Sequence, residues 1–289
     1  SYSELLPMFH IRYKFSDWFD ARIAITKSLA RPDYFNLVPW QRINYYEGTV
    51  QRGEPFLKHT KVWNYDLFLS FYGNYGLVTI GGYYKTLDDI DYIRVSRITE
   101  SGPAQGFTLT KPENSKYRTK VYGVEFEVQT NLRFLPSPFD GILISANYSY
   151  IHSKTYYPFL KVGPRNPLPP FNFTFIDTAR EGRMPGQANH IANLTLGYEK
   201  GDFTGRLSMI YQGNSLQTIG TREELDGYSD AFIRWDLAMQ YKIFPKLALT
   251  LNMNNITNLP EGSFLGIESY PTREEYFGWT IDVGIKYDL

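Results

Sequence analysis

Four histidines, His10, His59, His152 and His190, are the side chains best suited to metal binding or proton transfer. They lie far apart and at different strand ends, so they do not form a ligand cluster. His152 and Ser153 adjoin near a strand end, but a hydrolytic triad needs a third partner and none is evident. Cysteine is absent, which removes disulfides, thiolate zinc sites and thiol nucleophiles together. These residues point away from an enzyme, and no metal or cofactor is expected. Recognition chemistry is better represented. Trp40, Arg42, Tyr45 and Tyr46 form one set, and Tyr156, Tyr157, Phe159, Arg165, Phe171, Phe173 and Phe175 another, joining planar stacking surfaces to guanidinium donors. Sugars, peptides and aromatic chelates all suit such sets, and so does plain packing of one loop on another.

The elements that must carry these residues read as strands. In the last stretch, Tyr276 to Leu289, every second residue is apolar (Phe277, Trp279, Ile281, Val283, Ile285, Tyr287, Leu289), and the residues between are Gly278, Thr280, Asp282, Gly284, Lys286 and Asp288. Successive strand side chains face opposite ways, so this is a ribbon between two media. Aromatics at both ends of the apolar face and a span of about ten residues fit a tilted bilayer crossing. Similar alternation recurs around residues 9–15, 21–26, 63–71, 77–85, 122–129, 142–150, 192–198, 203–211, 231–241 and 247–253, making eleven strands.

Short turns follow strands one, three, five, seven and nine. Long segments without a sustained period follow the others, around residues 29–59, 86–117, 154–186, 213–228 and 256–275. Strict alternation of short turns and long loops is the pattern of an antiparallel outer-membrane β-barrel, with short turns at the periplasmic rim and long loops outside. The aromatic content of 17% fits interface girdles, and no apolar run is long enough for a transmembrane helix. A net charge of zero gives no electrostatic footprint for nucleic acid.

Polar residues on the strands, among them Glu125, Glu127, Arg206, Arg234 and Asp236, then face a wet lumen. They are either plug and substrate contacts or simply a solvated wall. Eleven strands with the first running downward are not a complete bacterial barrel, which has an even number. Residues 1–289 are therefore expected to be the C-terminal part of one barrel, with further strands upstream. No leader pattern occurs in Ser1 to Leu6, as expected of a mature or cut chain.

Four segments, Lys27-Ser-Leu-Ala-Arg-Pro-Asp-Tyr34, Lys61-Val-Trp-Asn-Tyr-Asp-Leu67, Gly182-Arg-Met-Pro-Gly-Gln187 and Asn254-Asn-Ile-Thr-Asn258, stand in order at strand edges. In this the chain resembles the barrel of TonB-dependent outer-membrane transporters, in a style typical of Bacteroidota. The resemblance implies the second half of a 22-stranded barrel with an N-terminal plug. It also implies active uptake of a nutrient such as a siderophore, cobalamin, glycan or peptide. Implied partners are outer-membrane lipid, the TonB complex through the missing N-terminal part, and a SusD-like surface lipoprotein over the loops. A passive porin-like channel and a surface adhesin or structural component of an envelope complex are the alternatives. Most outer-membrane barrels end in Phe, and here the last residue is Leu289, with Tyr287 two before it.

Overall fold

The computed structural model describes residues 3–165, 167 and 173–287. Where the period of two persists the chain forms long strands, beginning with β1 (Met8–Ser16) and β2 (Phe19–Ala30). One helical turn follows, α1 (Tyr34–Leu37), capped by the Asp33 carboxylate, which accepts the Phe35 N–H at 2.7 Å. Then come β3 (Gln41–Asn44), β4 (Thr49–Arg52), β5 (Thr60–Gly73), β6 (Gly76–Asp88), β7 (Asp91–Arg97), β8 (Thr108–Asn114) and β9 (Thr119–Asn131). The middle of the chain holds β10 (Ile142–Arg165), β11 (Phe173–Gly182), β12 (His190–Lys200), β13 (Phe203–Gln212), β14 (Ser215–Ile219) and β15 (Gly227–Ser229). The last are β16 (Phe232–Phe244), β17 (Leu247–Asn254), β18 (Pro260–Leu265), β19 (Pro271–Tyr276) and β20 (Thr280–Tyr287).

These strands make two sheets. The larger runs β1-β2-β5-β6-β9-β10-β12-β13-β16-β17-β20, every pair antiparallel, with β11 attached to the long outer half of β10. The smaller, which we call the crown, runs β19-β18-β15-β14-β7-β8-β4-β3 and is built from four of the long segments between wall strands. Two of its pairings are parallel, Thr49↔Thr108 between β4 and β8 and Ile93↔Thr218 between β7 and β14.

Register keeps each face of the wall uniform. One row reads Ala21, Leu69, Ile80, Phe126, Tyr148, Ala192, Tyr211, Ile233 across eight strands. On the opposite face a row reads Asp20, Ser70, Thr79, Glu127, Asn147, Asn193, Ile210, Arg234. A slip of one residue at any strand would invert that strand's faces, and no slip occurs along these rows. The apolar face is substantially exposed, with Tyr122, Val124 and Phe126 each between 43% and 55% accessible, as a lipid-facing surface must be. At its short-turn end Phe15, Phe19 and Phe71 stack at 4.9 and 5.0 Å, one aromatic girdle. Phe68, an apolar exception on the polar face, lies over Gly81. A Cβ there would stand 2.2 Å from its ring, so the phenyl takes the space a side chain would fill.

Two expectations are corrected. The final strand starts at Thr280, not at Tyr276. Tyr276 ends β19, and Gly278 at φ 79° takes the left-handed turn that separates them. The long segments are not without structure: β10 continues to Arg165 and hairpins with β11, and the other four carry the paired strands β3, β4, β7, β8, β14, β15, β18 and β19. Asp288 and Leu289 lie outside the described residues.

The buried apolar clusters lie in and beneath the crown. Tyr92, Tyr157, Leu216 and Ile219 form one cluster with Tyr228 against it; Leu87, Ile90 and Val121 form another with Met184 packed on it. Ordering the loops therefore buries apolar surface that the single-layered wall does not.

Candidate ligand site beneath the crown

A hollow of about 740 Å³ lies where β15, β18 and β19 face the loop ends of β16, β17 and β20. The wall contributes Phe232, Arg234, Asn254 and Thr280; the crown contributes Tyr228, Asp230, Phe264 and Arg273. Alternation aims Phe232 and Arg234 to the polar face, and Arg234 Nε stands 3.3 Å from the Asp236 carboxylate. Tyr228 and Phe264 stack on each other at 5.1 Å, with planes 9° apart, and Phe264 is only 4% exposed, so the pair closes the roof as a packed unit. Burial, then Glu268 and Glu274, push the Asp230 carboxyl above its ordinary value. Among the described residues no cation pairs with it. An aromatic roof, a guanidinium and a carboxyl without a cation can together hold a polar solute.

The Asn254-Asn-Ile-Thr-Asn258 segment shapes the floor. Asn255, at φ 53°, donates its amide to the Gly278 carbonyl at 2.9 Å and accepts the Leu259 N–H at 3.0 Å. Its own N–H reaches Asp236 at 2.8 Å. One side chain thus ties the exit of β17 to the approach to β20. Asn255→Ala removes these side-chain bonds at a left-handed position where Asn is favoured, an expected loss of about 2 kcal/mol. Faster exchange of the Leu259 amide in the assembled barrel would register it.

The other quoted segments are fasteners too. Arg183 donates to the Asn214 side chain at 2.9 Å and to its carbonyl at 2.8 Å, while Tyr157 donates to the Arg183 carbonyl at 2.7 Å. Lys27 and Lys61 hold Glu4 at 3.0 and 2.7 Å. The Lys61 hydrogen bond, with help from Lys27 and His59, brings the Glu4 carboxyl down to about 2. Asn64 bonds to Thr26 and Ser28 at 3.2 Å, tying β5 to β2.

The residues singled out in the sequence are spread widely. Trp40 packs on Phe35 at 4.9 Å and Arg42 lies on β3, the crown's edge strand. Tyr45 meets Phe107 at 5.9 Å, and Tyr46 is fully exposed. Tyr156 contacts Tyr117 at 5.9 Å and Phe159 is half-buried. Tyr157 is completely buried and offers no surface to a ligand. Arg165 and Phe173 are opposite one another in the β10–β11 hairpin, and Phe171 lies outside the described residues. Glu125 and Glu127 share the polar face with Arg234 but sit on β9, away from the hollow. Arg206 lines a second hollow of about 500 Å³ toward the short-turn rim. Only Arg234 of the chosen set lines the main hollow. Its other walls come from two later segments whose relevance is set by crown pairing, and the strand-mouth pair Phe232 and Arg234 was the available signal.

A family profile described as TonB dependent receptor-like, beta-barrel matches residues 1–256. No curated protein sequence matches the chain. Among solved structures, the ferric enterobactin receptor of Pseudomonas aeruginosa in complex with BCV-L6 superposes with a TM-score of 0.60 at 13% identity, covering 98% of this chain and 40% of that one. The copper transporter OprC gives 0.61 at 14%, covering 97% and 38%. The siderophore receptor PiuA from Acinetobacter baumannii gives 0.59 at 14%, covering 97% and 35%. At these identities the likeness is one of fold, and the chain spans 40% or less of each of these three structures.

Proposed function

Because the chain belongs to the TonB-dependent receptor β-barrel family of the outer membrane, we propose that it is the C-terminal half of a plugged barrel that catalyses no reaction and actively imports a nutrient through the crown. The observation that carries this reading is the hollow at Arg234. It lies on the polar face of the wall and is roofed by loop strands, so a solute caught by the crown is delivered to the lumen side. The edges of β1 and β20 end the wall in this chain, and strands from the rest of a 22-stranded polypeptide would pair with them. A plug would rest against the polar rows that include Glu125, Glu127, Arg206 and Asp236, and would carry the contact to TonB. A Bacteroidota source and a SusD-like lipoprotein over the crown rest on the four sequence segments alone. The nutrient classes remain siderophore, cobalamin, glycan and peptide, and the solved structures named siderophore or copper receptors favour a metal complex.

The full-length protein tests this directly. Uptake from a panel of those four classes should require an energised inner membrane. Arg234→Ala should weaken binding of the imported solute by about 10-fold to 100-fold, since hydrogen bonds to charged groups contribute roughly 1.5–3 kcal/mol. A steady open conductance in planar bilayers, with uptake indifferent to energisation, would instead establish a passive channel.

A further inference from the structure

On the apolar face, register places like residues beside like at each height. One row reads Ile25, Tyr65, Tyr84, Tyr122, His152 across β2, β5, β6, β9 and β10. This is the loop-side aromatic belt, with Tyr65 and Tyr84 in contact at 6.2 Å and Tyr122 and His152 at 4.9 Å. The next row toward the loops, two residues or roughly 7 Å farther along each strand, reads Lys27, Trp63, Thr86, Lys120, Lys154. Lys61 and Arg118 adjoin it through Asp88, which stands opposite Lys61 and takes the Arg118 guanidinium at 2.8 and 2.9 Å.

We propose that this row is a docking site for the phosphorylated headgroup of a lipid in the leaflet on the loop side. The inference rests on the outer-membrane reading above. Lys27, Lys61, Arg118, Lys120 and Lys154 face three carboxylates, Glu4, Asp88 and Glu181, so the patch holds a cationic excess. Lys120 is exposed and pairs with no acid among the described residues. Charges directly above an aromatic belt sit at headgroup depth, where water is scarce enough for cation–phosphate pairs to hold and where a free anion gains no acyl-chain contact. The belt beneath supplies that contact: Tyr65, Tyr84 and Tyr122 are between 38% and 48% exposed, against which an acyl chain can lie.

The test uses full-length receptor purified in mild detergent, with lipid retention read by native mass spectrometry. The probes are bis-phosphorylated lipid A, its dephosphorylated form and inorganic phosphate. Wild type should retain the phosphorylated lipid, and K120E/K154E should retain at least 5-fold less, with the dephosphorylated lipid held equally by both. Lys120→Gln, exposed and unpaired, provides a milder variant and should give an intermediate loss. Equal retention of the phosphorylated lipid by wild type and both variants would overturn the proposal, as would its displacement by millimolar inorganic phosphate. Outer-membrane fractionation and uptake in the same strains separate the two readings. Failure of the membrane reading removes wild type from that fraction, whereas failure of the lipid site alone leaves localisation and uptake intact.

Discussion

Asp226→Ala is expected to unfasten the crown while leaving the wall assembled. Asp226 is buried between β14 and β15, its carboxylate engaged by the Arg180 guanidinium of β11 and by the Gly220 N–H at 2.8 Å. Burial pushes this carboxyl above its ordinary value, and Arg180 and the Gly220 N–H offset part of that. Arg180 is itself mostly buried, and its Nε has no hydrogen-bond partner, so the guanidinium has little to fall back on. Removing one member of a buried pair strands the other's charge, a loss of about 3–5 kcal/mol. Hydrogen exchange in the assembled barrel should show lost protection across 173–182 and 215–229, with 203–212 and 232–244 unchanged. Unchanged protection in the first two segments would mean that the pair does not hold the crown.

Tyr157→Ala should have an effect of comparable size by a different route. The ring is fully buried against Leu216 and Ile219, with Tyr92 edge-on at 5.0 Å. Truncating a buried aromatic to alanine typically costs about 3–5 kcal/mol, because the cavity closes only in part. Tyr157→Phe isolates the hydroxyl bond to the Arg183 carbonyl and should lose about 1 kcal/mol. Arg180 lies over the same ring at 5.8 Å, so the two alanine substitutions share a neighbourhood and their combined effect should differ from the sum. Protection of β7 and β14 amides measures the ring's role. A crown left intact by Tyr157→Ala would show that pairing alone holds it.

The wall was legible because each of its strands separates two media over many residues, leaving the period of two in plain view from Phe9 onward. The crown was not. β3, β4, β14 and β15 are only 3 to 5 residues long, and partners such as Val50 and Leu109 are joined by register that no local pattern encodes. The overlong reading of the last strand has a specific origin. Phe277 and Trp279 continue the alternation by composition, while Gly278 breaks it in conformation. The site divides in the same way. Arg234 was readable as a residue of the polar face, and it lines the hollow, but Tyr157 carries the same aromatic signature as a binding residue and became core because another segment closed over it.

The two parallel pairings set an order of assembly. A hairpin can close as soon as its own two strands exist, but β7 cannot meet β14 until β9, β10, β12 and β13 have brought residue 218 beside residue 93. Loop closure over such separations is entropically unfavourable until the intervening wall has done the positioning. The crown's hairpins can close early but join into one sheet last, and a barrel stalled midway through insertion would present them with unpaired edges, a state open to proteolysis and to pairing with the wrong chain.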